Sequence, residues 1–525
     1  MNTGFIQAKN GHFSLNGEQI MLRGFGLGTW MNIEHMMSRI PGTEKRIRQT
    51  FAEVYGRENA EQFFNDYLNY FITEDDFVFL KSLGANTLRL ALNYRHFEDD
   101  QAPGKYKEEG FRHLERVLAL CRKHNIYAVL DMHTSPGGQN ANWHADNNTG
   151  VAMFWEDASL RERMVNLWGY IANRYKADPV IAGFDIINEP NFVNDADAFN
   201  DFFERTIEKI RRVDINHIIF IEGTAWSKDF TIFRKLGGHQ QALSFHFYPG
   251  QHACIFAAPE ERIPVLEKII LDYVDLREKT GMPLWVGETG GRFSKNNISK
   301  GFNAIRETLA LFEKHDISWS FWTYKDANTM SLVYPKAETM WMKMGKEFRP
   351  KWQVKGLRNT DISNEVFQML EDKFSYPISD ELKSKFSFRI SALLDELHIV
   401  YLVKQKLQTV PWEEMKEYPK SFLWKNCEYW KELAGILIFF MNNPVKIKDQ
   451  HSKDETVMYN FNKNMMGVEE IKEPACQCCG TVKIKETSQS AGCAPFDADS
   501  ANQCSDSAGI ENSKPAGSCC AGSCS

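Results

Sequence analysis

Cysteine is scarce over most of this chain. Of eleven, only Cys121, Cys254 and Cys427 lie in the first 475 residues. Three dispersed thiols offer no disulfide framework, so the body of the chain reads as a reduced, intracellular type. Long apolar runs are missing as well: Leu433 to Met441 is about half the length needed to span a bilayer. Met1 to Gly17 is polar and lacks the apolar stretch of a secretory leader. The expectation is a cytoplasmic protein with no integral membrane segment. Clustered positive charge is absent too. Acidic and basic residues are interspersed, with a net charge of −7, which argues against nucleic acid as a partner. No glycine-rich phosphate turn with the usual spacing follows the first strand, which weighs against a doubly wound nucleotide-binding sheet.

The chain has 525 residues, more than one ordinary domain unless that domain is a large barrel. Phe13 to Ile20 reads as a hairpin turning at Asn16-Gly17, with a first strand at about Ile20 to Gly24. Residues 31–71 read as a helical insertion rich in Met and Phe, positions best explained by helix packing. A regular beat follows. Strands are expected at 85–91, 126–133, 180–187, 217–222, 241–248, 283–288 and 317–323, mostly separated by helical segments. Such alternation implies parallel strands with right-handed crossovers, and eight of them imply a closed (β/α)₈ TIM barrel over residues 1–345. An open doubly wound sheet is the alternative.

Past residue 345 the beat is lost. Leu382, Phe386, Ile390, Leu393 and Leu397 recur at helical spacing, and residues 346–470 read as a helical extension. Residues 471–525 form a low-complexity tail that holds the other eight cysteines, with too few large apolar residues to bury a core. Cys476, Cys478 and Cys479 cluster, as do Cys519, Cys520 and Cys524, which makes soft-metal binding one reading of the tail. Modification after translation and an inert extension are the others.

Chemistry in such a barrel sits at the C-terminal ends of strands. Those ends carry Arg89, then Asp131 and His133, then Asn188-Glu189-Pro190, His246 and Tyr248, Glu288, and Trp322. Two carboxylates without an obvious metal cage suit glycosyl transfer to water, one as acid/base and the other as nucleophile or base. Arg89 and Tyr248 are placed to keep one carboxylate ionised and His246 to sit by the other. Trp322 offers a flat face to a sugar ring, and Asn188 a hydrogen bond to a hydroxyl beside the reacting carbon. Asp131, His133 and His246 raise a metallohydrolase alternative. Such sites usually gather more His and carboxylates, often as His-x-His, whereas this chain has Asp-x-His and His-x-Tyr. No metal and no cofactor is assigned.

Asn188-Glu189-Pro190 and Gly287-Glu288-Thr289, with Arg89, His133, His246, Tyr248 and Trp322, resemble the active-site set of glycoside hydrolase family 5, the cellulase-like barrels. Gly26 to Trp30 and His133 to Asn140 resemble its exo-β-1,3-glucanase branch. The resemblance covers residues 5 to 340. It implies a retaining β-glucosidase or β-glucanase with Glu189 as acid/base and Glu288 as nucleophile. Arg89 and Tyr248 would support the nucleophile, and His133, Asn188, His246 and Trp322 would hold the sugar. Trp143, His144 and Trp226 are candidates to line the subsites or cover the barrel mouth. A β-glucan oligosaccharide, a glycoside or a glycolipid is the expected substrate. The competing reading is a non-catalytic glycan-binding barrel that presents the cysteine tail.

Overall fold

The computed structural model describes residues 4–442 except 292–297, 329, 353–358 and 376. The cysteine-rich tail lies outside the described residues. The barrel strands are β1 (Arg23–Met31), β2 (Thr87–Asn93), β3 (Tyr127–Thr134) and β4 (Ile181–Asp185). They continue as β5 (Ile218–Glu222), β6 (Gln241–His246), β7 (Leu284–Thr289) and β8 (Ser318–Phe321). Neighbours in sequence are neighbours in space, every pair is parallel, and β8 closes on β1 with Trp319 opposite Arg23. The fold is thus a (β/α)₈ barrel. Every residue of these strands but Tyr127 is buried, as suits strands walled by helices on the outside.

The intervening helices carry readable ends. Glu108–His124 opens on Glu108 and Glu109 and closes on Arg122, Lys123 and His124, matching the helix dipole, before Asn125 stops it in the left-handed conformation. A three-stranded antiparallel sheet precedes β1, and Asn16 and Gly17 turn its hairpin with φ of 53° and 86°. Phe13 and Leu15 from this sheet pack with Leu22, Val129, Phe220 and Trp285, which plugs the bottom of the barrel.

Several strand boundaries differ from the sequence pattern, and β6 and β8 stop at His246 and Phe321, so that Tyr248 and Trp322 lie just past their ends. β1 starts at Arg23 and runs to Met31, later than expected, because Gly24, Gly26 and Gly28 continue the strand. β4 ends at Asp185, so Asn188 and Glu189 lie in the turn beyond it, with Glu189 at φ 48°. Apolar character alone could not place that end, since Ile186 and Ile187 are buried as well.

The insertion forms helices His35–Ser38, Glu44–Tyr55 and Arg57–Phe71. These pack against the segment that follows the barrel. Tyr67 stacks on Trp341, and Tyr55 Oη donates to the carbonyls of Leu407 and Val410 at 2.7 and 2.9 Å. Beyond β8, Val333–Pro335 pairs with Cys427–Tyr429, and helix Lys431–Asn442 lies against helices Glu74–Leu83 and Ile298–Lys314. Buried Lys325 ties these layers together. Its Nζ is 2.5 Å from Asp76 and donates to the carbonyls of Phe71 and Phe422. Among the described residues, no helix is long and apolar enough to cross a membrane.

Candidate active site

Arg89 on β2 is the hub of the barrel's C-terminal end. It is fully buried, and it donates from Nε to Asp185 at 3.0 Å and from Nη1 to Glu288 at 2.8 Å. Its Nη2 donates to Asn188 Oδ1 at 2.8 Å and Glu222 at 3.0 Å, with Asp131 at 3.2 Å. One guanidinium among four carboxylates leaves an excess of negative charge. Burial and the neighbouring Glu222 push the Asp185 carboxyl well above its ordinary range.

Glu288, on β7, has both oxygens engaged. Oε1 takes the Arg89 bond, and Oε2 accepts from Tyr248 Oη at 2.6 Å. Burial and the Glu288 charge push the Tyr248 phenol well above its ordinary range, so it stays neutral and donates. Gly287 is needed here, since a Cβ on it would lie 3.0 Å from His246 Nε2.

Glu189 faces Glu288 from the β4 turn. Its N–H donates to Glu222 at 2.7 Å, which anchors the left-handed turn. Its Oε1 lies 2.8 Å from His246 Nδ1 and its Oε2 3.2 Å from His144 Nε2. Burial works against ionisation, yet the His246 hydrogen bond and charge hold Glu189 down at about 2. His246 is the other half of the same pair. Burial opposes its charge, but Glu288, Glu222 and Glu189 raise it well above the ordinary imidazole range. His144 is different: burial lowers it to about 4, so it is neutral. Its Nε2 is 2.9 Å from Asn140 Nδ2, which also donates to the Glu189 carbonyl.

His133 donates from Nδ1 to Asp131 at 2.7 Å, and its ring stacks on Trp322 with centroids 5.2 Å apart and planes 4° apart. Asn188 Nδ2 lies 3.4 Å from His133 Nε2. The Gly26-Leu27-Gly28 stretch explains how Trp322 fits. A Cβ at Gly26 or Gly28 would come within 2.4 or 2.7 Å of its indole.

The structure therefore gathers Arg89, His133, Asn188, Glu189, His246, Tyr248, Glu288 and Trp322 at one end of the barrel. Trp143 is set further out, stacked on His35 with centroids 4.1 Å apart. Three further carboxyls belong to the cluster and were not among the expected site residues. Asp185 and Glu222 close β4 and β5, and that position was their sequence signal. Glu34 lies three residues past β1, where no strand or motif marks it. It is only 4% exposed, with Oε1 3.5 Å from His133 Nε2. Burial first, and then Glu288 and Glu189 against the opposing His133, raise it to about 8.

Among the described residues, only Glu189, His246 and Glu288 bring donor atoms close enough for a metal, all within 4.8 Å of one another. A cation there would meet the positive charge of both Arg89 and His246. Asp131 and His133 are hydrogen-bonded to each other, and His246 turns to Glu189, so the three do not converge as a ligand set.

A family model described as cellulase (glycosyl hydrolase family 5) matches residues 47–328. The chain is similar to a beta-xylosidase of Phanerodontia chrysosporium, 32% identical over 456 residues that cover 80% of this chain and 95% of the relative. It is also similar to endoglucanase C of Acetivibrio thermocellus, 24% identical over 305 residues, or 50% of this chain and 87% of the relative. A probable glucan 1,3-beta-glucosidase A of Emericella nidulans is 26% identical over 290 residues, covering 52% of this chain and 68% of the relative.

Proposed function

From the premise that this chain belongs to glycosyl hydrolase family 5 and is an O-glycosyl hydrolase, we propose that it cleaves β-glucosidic bonds with retention of configuration, using Glu288 as nucleophile and Glu189 as acid/base. The observation that carries this reading is the spacing of the two carboxylates. An oxygen of Glu189 lies within 4.8 Å of an oxygen of Glu288. Retaining enzymes set their carboxyl groups about 5–5.5 Å apart, while inverting ones leave about 6.5–9.5 Å for a water.

Glu288, hydrogen-bonded by Arg89 and Tyr248, attacks the anomeric carbon as Glu189 protonates the departing oxygen. Water then attacks the glycosyl ester, Glu189 takes its proton, and Glu288 is released. Before substrate binds, the proton for the first step is carried by His246, 2.8 Å from Glu189 Oε1. A sugar lying over the pair removes water from it, which disfavours the two separated charges and returns the proton to Glu189. Trp322 and His133 form the floor for the sugar ring, and Asn188 reaches the hydroxyl beside the reacting carbon.

The names of the relatives favour a β-linked glucoside, glucan oligosaccharide or xyloside as substrate. The division into a catalytic barrel over residues 1–345 and a helical extension from 346 belongs to the same proposal. The test is hydrolysis of a panel of aryl β-glycosides and short β-glucans, with the anomer of the first-formed product read by NMR. Retention, with Glu288→Gln inactive by several orders of magnitude, is expected. Glu189→Gln should lose about 10²–10⁴-fold on substrates with poor leaving groups and far less on dinitrophenyl glycosides, which need no proton. An inverted product, or full activity in Glu288→Gln, refutes the assignment.

A further inference from the structure

The helix Asp380–His398 reaches the acid/base side of the site, although nothing in its sequence marks it for chemistry. Phe388, 5% exposed, lies 5.3 Å from Phe192 and 6.1 Å from Trp226 between ring centroids. Trp226 in turn sits 5.5 Å from His144, which touches Glu189. Phe192 and Trp226 are half-buried, so Phe388 is the back of a wall and these two rings are its front. Seven residues on, the same helical face presents Asp395, 3.6 Å from His35, whose ring stacks on Trp143. The helix thus touches Trp226 through Phe388 and reaches Trp143 through His35.

The loops it touches are in conformations that side chains rarely adopt unaided. Phe192, Ala225, Trp226 and Ser227 have φ of 57°, 52°, 62° and 60°. Non-glycine residues persist in that region only where their surroundings hold them there, and they tend to cluster at ligand clamps. Ser227 bonds Glu222 and fixes one end of the turn. The Trp226 indole has ring contacts with His144, Phe192 and Phe388.

We propose that Phe388 is a positioning residue that holds Trp226 and Phe192 as the wall of the leaving-group subsite, and that this wall takes an apolar aglycone. The proposal rests on Glu189 as acid/base, because the leaving group departs on the side of that carboxyl. Rings without charged partners favour an alkyl or aryl group over a second heavily hydrated sugar.

The test uses alkyl 1-thio-β-glycosides of increasing chain length, which are not turned over, as competitive inhibitors of the aryl glycoside that the enzyme hydrolyses best. In the full-length wild type, Ki should fall by about two- to fourfold per methylene over the first few carbons, the upper figure being that of full burial. Phe388→Ala should flatten this dependence to less than 1.5-fold per methylene. Its kcat on the dinitrophenyl glycoside should hold within a few-fold, a split that a general loss of folding would not give. Leu393→Ala, at a 66% exposed position on the same helix, should keep the wild-type slope. Equal slopes in wild type and Phe388→Ala, or no dependence on chain length in the wild type, overturn the proposal while leaving Glu189 and Glu288 in place. Full activity in Glu189→Gln on poor leaving groups overturns the reading beneath it instead.

Discussion

Glu34 makes a quantitative test of the site's electrostatics, because its carboxyl is raised from an ordinary 4.5 to about 8 and only 4% of the residue is exposed. Between those two values the folded protein keeps a proton that the unfolded chain has released. The folded state therefore binds more protons than the unfolded one, and stability must fall as pH rises through this window. Each pKa unit is worth about 1.4 kcal/mol, so a raised carboxyl of this kind withdraws roughly 4–5 kcal/mol between the two ends. This contribution is fully present below the unfolded value and is lost once pH passes the folded one. Glu34→Gln keeps the size of the side chain and removes the titration. Urea unfolding of wild type and variant in buffers spaced across the window should give curves that diverge steadily with pH. The variant gains on the wild type by roughly 4–5 kcal/mol by the alkaline end. Parallel pH dependences in the two proteins would refute the reasoning, since they would mean that Glu34 is ionised in the folded state throughout.

Other perturbations probe different parts of the structure. His246→Asn removes the raised imidazole that shares its proton with Glu189, so the alkaline limb of kcat/KM should move to lower pH, and an unmoved limb would separate the two residues. Gly28→Ala pushes a methyl group to 2.7 Å from Trp322, which should cost about 1–3 kcal/mol by thermal unfolding and weaken KM more than kcat. Lys325→Met strands the buried Asp76 charge and should cost about 3–5 kcal/mol, with much of that recovered when Asp76→Asn is added. A loss confined to the single variant's surface contacts, with no recovery in the double variant, would count against a buried ion pair.

The barrel was legible because its signal is local and repeated. Apolar runs such as Ile218-Ile219-Phe220-Ile221 need only their own residues to read as buried strands, and eight such beats leave little choice of architecture. The principal site residues were legible for the same reason, since position at a strand end is a property of the sequence. Where the strands stop was less so. Ile186 and Ile187 are apolar and buried without being strand, and only the packing of the turn puts Glu189 past the end of β4 at φ 48°.

Sequence alone determined that the strand-end side chains meet at one rim of the barrel, because parallel closure brings every strand end there, but it left Glu34 unmarked. It could not decide their protonation, which depends on burial and on neighbours far away in the chain. Arg89 meets Glu288 across 199 residues, and Glu34 is raised by burial and by the distant carboxylates of Glu288 and Glu189. It could not decide the reach of helix Asp380–His398 either. That helix is amphipathic like many that merely pack, and which residues its buried face covers is fixed only when Phe388 arrives beside Trp226 and Asp395 beside His35. Periodicity specifies that a face will be buried, while the tertiary fold chooses the partner.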